Sequence, residues 1–205
     1  MRHRHVLAAT LASAMLTACA GTGHVHTDAV ASAPAAAPAP ATAPTPAPAA
    51  AAAPPFETRI VRDGAVLLSP QPMAADLEAL GAKGVRRVIN LRTAEEMATL
   101  GFDEAALAAS KGMDYTLIPI AGNAAYTPAA LDAFSAAMAH GEGDVLLHCA
   151  SGTRAGHLYA AWLVREQGVS PEDAMRRVGP LGLWPPPMER LLDRPLRLDY
   201  AAPRG

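Results

Sequence analysis

The sequence predicts an α/β fold: a single three-layer domain with a mainly parallel central sheet flanked by helices. Three observations carry that expectation. From Phe56 onward, short β-prone runs alternate with segments of helical periodicity, the pattern of strands joined by helical crossovers. One run, Asp144 to His148 (DVLLH), is almost wholly apolar after its first residue, as a strand covered on both faces must be. About 150 residues follow the start of this pattern, the usual size of one domain with one core.

Taken in order, Val66 to Ser69 reads as a short strand. Met73 to Lys83 reads as a helix, with Met73, Leu77 and Leu80 on one face and Gly81 and Gly84 at its end. Val85 to Leu91 (VRRVINL) is a strand. Glu95 to Ser110 is a helical region broken at Gly101, and Asp114 to Ile120 (DYTLIPI) is another strand. Thr127 followed by Pro128 supplies an N-cap and a proline at the first helical position, opening a helix that runs to Gly141. After DVLLH, a helix is expected from Arg154 to Gln167, stopped by Gly168. Ser170 caps another that stops at Gly179.

Residues before Phe56 follow a different logic. Met1 to Ala18 has a basic start and an apolar run from Val6 to Leu16, too short for a stable membrane span and built like an export signal. Leu16-Thr17-Ala18-Cys19 resembles a lipobox, so residues 1–18 are expected to be a signal peptide and Cys19 the lipidated first residue of the mature chain. Ala20, in place of aspartate after that cysteine, points to the outer membrane of the bacterial envelope, facing the periplasm. Residues 19–55 then form a tether, nearly all Ala and Pro from Thr22 to Pro55, with no apolar face to bury. As extended polyproline II it reaches up to roughly 100 Å. His24 and His26 lie in this tether and are expected to be solvated rather than metal ligands.

The net charge is −2, and removal of residues 1–18, which carry Arg2 and Arg4 and no acid, takes it to −4. Such a balance offers nothing to nucleic acid. With Cys19 acylated, the only other cysteine, Cys149, has no partner for a disulfide, and a lone thiol in an exported protein is a cue for reactivity.

Cys149 stands directly after the apolar strand and is followed by Ala150, Ser151, Gly152, Thr153 and Arg154. The loop has no proline, so each backbone N–H is free to turn inward, and the helix that follows adds the positive end of its dipole. Gly152 permits backbone that a Cβ would resist, and Arg154 has the planar fork that clamps two oxygens of a tetrahedral oxyanion. The same field favours a thiolate on Cys149 and hence a nucleophile. The ligand expected is a small oxyanion or phosphate ester, with no metal and no cofactor.

Residues 64 to 192 resemble the phosphatase-like domain of the beta-lactamase-hydrolase-like proteins, related to dual-specificity and tyrosine phosphatases. The resemblance runs in order through SPQP (Ser69–Pro72), DLEALGAKG, VINLR (Val88–Arg92), the strand end IPI (Ile118–Ile120) and HCASGTRAG (His148–Gly156). It implies a cysteine-phosphatase-like fold, Cys149 as nucleophile, Arg154 as phosphate clamp and His148 as a brace for the loop. Three features depart from the pattern of the related phosphatases. Four residues rather than five separate cysteine from arginine, the spacing of many rhodanese sulfurtransferases. Ala155 stands where a Ser or Thr commonly assists breakdown of the cysteinyl-phosphate. The segment AGNAAYT, where a general-acid aspartate is expected, offers only Asn123, so slow turnover that depends on the leaving group is expected. Only equal rates for alkyl and aryl phosphates would call for an acid from elsewhere, with Asp103 or Glu104 as candidates.

Beyond the loop, Arg92 follows a strand ending near the presumed active edge and is expected to add positive potential there or, more readily, to sit in a structural salt bridge. Asn90 is similarly placed or serves a turn, His157 is expected in packing or capping, Tyr126 at a pocket mouth or in packing, and Trp184 buried, or forming a rigid lip or partner surface with Pro185 to Pro187. Three functions follow from this inventory: thiolate attack on a phosphate ester, sulfur transfer through a Cys149 persulfide, or non-catalytic binding of an oxyanion or phospho-ligand.

Overall fold

The computed structural model describes residues 54–198; the signal segment, Cys19 and most of the tether lie outside the described residues. Five strands form one sheet in the order β1-β2-β5-β3-β4, comprising β1 (Val61–Asp63), β2 (Val66–Ser69), β3 (Val85–Asn90), β4 (Asp114–Leu117) and β5 (Asp144–His148). All pairings are parallel except β1 with β2, a tight hairpin turning at Gly64. The central position of β5 follows from its composition: Val145, Leu146 and Leu147 are fully buried, so both faces of the strand need a covering layer.

The helices supply the two layers: α1 (Ala74–Ala82), α2 (Ala94–Met97), α3 (Glu104–Ser110), α4 (Pro128–Ala139), α5 (Thr153–Glu166), α6 (Pro171–Arg177) and α7 (Pro185–Leu192). On one face, α1 and α3 close a small core around Leu77, Leu80, Val88 and Leu146. On the other, α4, α5 and α7 close a larger one that includes Phe134, Leu147, Leu158 and Leu191. Burial of each such side chain stabilises the domain by about 1.5–3 kcal/mol.

Several expected boundaries shift for local reasons. Met73 is the N-cap of α1 and 64% exposed, so it is not part of that helix's buried face. The region 95–110 is two helices separated by residues 98–103, each opened by its own cap, Thr93 Oγ1 accepting from the Glu96 N–H and Asp103 Oδ1 from the Ala106 N–H. Strand β4 ends at Leu117 rather than Ile120, because Pro119 has no N–H for a ladder. Ile118 and Ile120 still donate to the carbonyls of Asn90 and Leu91, so the segment continues alongside β3. The proline run after Trp184 opens α7, its first residue being Pro185 at a position where the N–H is dispensable. Trp184 itself is 45% exposed, against the expectation of burial.

Candidate active site

Parallel strands bring the C-terminal ends of β2, β5 and β3 to one edge, and every element of the site leaves from that edge. Cys149 follows β5 and is fully buried. Its loop is tied to both neighbouring strand ends: the Gln71 N–H donates to the Ala150 carbonyl at 3.2 Å, and the Leu91 N–H to the His148 carbonyl at 3.0 Å. Gly152 has φ of 95°, and a Cβ there would stand 2.9 Å from Leu181 Cδ2 and 3.4 Å from the Ser69 backbone. That backbone turns the Gly152 N–H onto Cys149 Sγ at 3.1 Å, and α5 starts at the next residue. Ala150 and Ser151 are exposed, Thr153 Oγ1 donates to the Leu181 carbonyl at 3.2 Å, and Arg154 lies in the first turn of α5.

The feature that sequence reasoning missed is Glu96. Arg154 Nη1 donates to Glu96 Oε2 at 2.8 Å and Nη2 to Oε1 at 2.7 Å, a two-point fork between residues 58 apart in sequence. Nη1 also reaches the carbonyls of Leu91 and Ile120. All four bonds leave from the Nη atoms, so the Nε edge of the guanidinium is not among them. Glu96 is fixed in turn by the Thr93 N–H on Oε2 at 2.9 Å and by Arg92, whose Nη2 donates to the Glu96 carbonyl and whose Nε lies 3.6 Å from Oε1. The Arg154 hydrogen bonds, foremost, hold the Glu96 carboxyl down at about 2 despite its burial, and Glu96 raises the Arg154 guanidinium, with thiolate charge on Cys149 adding to the effect. The sequence did carry a local sign of this residue, since Thr93-Ala94-Glu95-Glu96 is a capping box.

Behind the loop lies a buried polar hub centred on Glu104, which is only 2% exposed. Glu104 accepts from Asn90 Nδ2 at 2.8 Å, Gln71 Nε2 at 3.1 Å and the Tyr115 hydroxyl at 3.3 Å. His148 Nε2 stands 3.1 Å from Glu104 Oε1, a close contact rather than a linear hydrogen bond. Asn90 Oδ1 takes the Arg92 N–H, and Gln71 Oε1 takes Arg92 Nη1, so the hub links the ends of β2, β3 and β5. Burial, chiefly, pushes the Tyr115 hydroxyl up to about 12. Neither fallback acid faces the loop's open side: Asp103 caps α3, and Glu104 is buried beneath the loop.

Arg154 and Thr153 open onto a cleft of about 440 Å³, shared with Glu96, Ile120, Asn123 and Tyr126, with the exposed Trp184 at its rim. Asn123 lies on the segment where an acid was sought. Glu96 is the one carboxylate among the lining residues, and it is ionised at neutral pH. Tyr126 is 6% exposed, and burial, then the Cys149 charge, raises its hydroxyl. His157 packs between Tyr126 and Trp184 and accepts the Trp184 N–H at 3.2 Å. Burial lowers it to about 4. Among the described residues, no group of three or more His, Cys, Asp or Glu side chains is placed to hold a metal ion.

The family model for the phosphatase-like domain of beta-lactamase hydrolase-like protein matches residues 57–164, more than half of the chain. The chain belongs to this family. A beta-lactamase hydrolase-like protein of Agrobacterium fabrum is 44% identical over 91 residues, which are 43% of this chain but 21% of that protein, so the shared part is about a fifth of the relative. Among solved structures, a putative phosphatase from Shewanella putrefaciens aligns at 27% identity and a TM-score of 0.52, over 66% of this chain and 89% of its own. The active form of Tk-PTP aligns at 21% identity and a TM-score of 0.52, over 66% and 97%, a likeness of fold. The phosphatase-like domain thus has the cysteine-phosphatase fold, and a phosphatase-like hydrolase is the activity its family supports.

Proposed function

We propose that this phosphatase-like domain hydrolyses phosphate monoesters through Cys149 and does so without a carboxylic general acid. The observation that carries the reading is the loop itself, in which a buried sulfur, an inward N–H 3.1 Å from it and a guanidinium anchored by Glu96 share one short turn. In the first step the Cys149 thiolate attacks phosphorus, while the N–H groups of Ala150 to Arg154 and the Nε edge of Arg154 hold the equatorial oxygens. The P–O bond to the leaving group breaks, and the departing oxygen takes its proton from water. Water then attacks the cysteinyl-phosphate, releasing inorganic phosphate and the thiolate.

A second reading rests on the four-residue spacing between Cys149 and Arg154, which suits a persulfide and sulfur transfer. One experiment separates these two readings and the purely binding one: the purified protein and Cys149→Ser are each given an aryl phosphate, and separately thiosulfate with cyanide. Release of phosphate that Cys149→Ser abolishes supports the proposal. Thiocyanate formation instead would replace it with sulfur transfer, and phosphate binding without either product would leave a binding module.

The same reading places the domain on the bacterial envelope, most simply the outer membrane, through a lipid on Cys19 and the Ala/Pro tether. The support is the LTAC tetrad after an apolar run. Mass spectrometry of the mature N-terminus is expected to find acylated Cys19; an unmodified start at another residue overturns it.

A further inference from the structure

The loop divides two clefts. Thr153 and Arg154 line the one already described, whereas Ala150 and Ser151 line a second, of about 730 Å³, on the other side. This second cleft is walled by Ile60, Val61, Pro70 and Leu181; among the described residues its one charged lining residue is Arg59, and none of them lines it with a carboxylate.

Arg59 differs from four other arginines of the domain in its pairing. Arg62 is matched to Asp144, Arg87 to the carbonyls that end α4, and Arg92 and Arg154 to Glu96. Among the described residues Arg59 has neither an acid nor a carbonyl partner and lies against the ring of buried Phe56, 5.6 Å from its Cζ. Its Nε is buried without a hydrogen-bond partner, as are those of Arg87 and Arg92, whose Nη atoms are however bonded. Buried polar atoms of folded proteins are nearly always bonded, and a guanidinium held against an aromatic ring has already lost much of its side-chain freedom. An anion entering the cleft would give this guanidinium the charged acceptor that the described residues do not supply.

We propose that this cleft is a second-anion subsite, so that the substrate is a phosphate monoester carrying, on an apolar body, a further carboxylate or phosphate that Arg59 receives. The proposal rests on the phosphatase reading and adds a substrate class to it. The reactive phosphate sits on the loop, the apolar body lies along Ile60, Val61 and Leu181, and the second charge meets the Arg59 fork.

The test uses the full chain carrying Cys149→Ser, so that binding is measured without turnover. Calorimetry gives the Kd of inorganic phosphate, of phenyl phosphate, and of phenyl phosphates bearing a carboxylate directly or on one- and two-carbon spacers. One carboxylated ester is expected to bind about tenfold tighter than phenyl phosphate, the scale of a hydrogen bond to a charged group. That preference should vanish in Arg59→Gln and survive in part in Arg59→Lys, which keeps the charge but not the fork. Equal affinity for carboxylated and plain esters, or a preference that persists in Arg59→Gln, overturns the subsite alone. Failure to bind inorganic phosphate or phenyl phosphate at all overturns the phosphatase reading and the subsite with it.

Discussion

Glu96 decides how Arg154 works. A lone arginine at the first turn of α5 would wander among rotamers; with both Nη atoms on one carboxylate and Nη1 on two carbonyls, it keeps one orientation. Glu96→Gln should weaken this fork, lowering affinity for phosphate or vanadate and destabilising the fold by about 1.5–3 kcal/mol, the range for hydrogen bonds to charged groups. The pH dependence has a definite sign. The folded carboxyl is held down at about 2, so its contribution is complete above the ordinary carboxylate value and is lost as pH falls from there through about 2. Thermal unfolding between pH 6 and 2 should therefore show an acid-side loss in the parent protein that is smaller in Glu96→Gln; superimposable profiles would contradict it. Glu96 and Glu104 were hard to read from the sequence for one reason. Each meets partners far away in the chain, and nothing in a local pattern says which acid a turn will carry under a loop.

At the scale of elements, the sequence was most readable where one physical demand dominates. The wholly apolar core of β5, the helix after Gly152 and the Thr127-Pro128 start of α4 all stand where composition and capping put them. Three-residue β1 is too short for a period to register, and α7 was hidden by prolines that read as a rigid lip. The segment from Gly179 to Trp184 joins these helices to the loop: Leu181 packs on Gly152, Leu183 on Gly156, and the Trp184 N–H is held by His157. His157 is buried neutral, its value lowered to about 4, so the unfolded chain binds a proton that the folded chain refuses between the ordinary histidine value and 4. Stability should fall as pH drops through that window and level off below it. His157→Gln, which keeps an acceptor for the Trp184 N–H without titrating, is expected to flatten the fall when melting temperature is followed from pH 7 to 4; an unchanged slope would show that other groups cause it.

For the whole molecule, the parallel sheet gathers Cys149, Arg154, Glu96 and the Asn123 segment at one edge, and the family places a phosphatase-like domain on that architecture. What the cleft does not bring to that edge is a carboxylic acid free to give a proton: Asn123 has none to give and Glu96 is committed to Arg154. General acid catalysis contributes about 10²- to 10⁴-fold, so turnover should depend on how readily the leaving oxygen departs unprotonated. The most direct measurement is kcat/KM across a series of phosphate monoesters running from nitrophenyl through phenyl to alkyl leaving groups, with Cys149→Ser as the control. A steep decline along the series is expected, with alkyl esters at least about 10²-fold slower than nitrophenyl and no activity in the control. Equal rates for alkyl and aryl esters, or activity that survives Cys149→Ser, would contradict it.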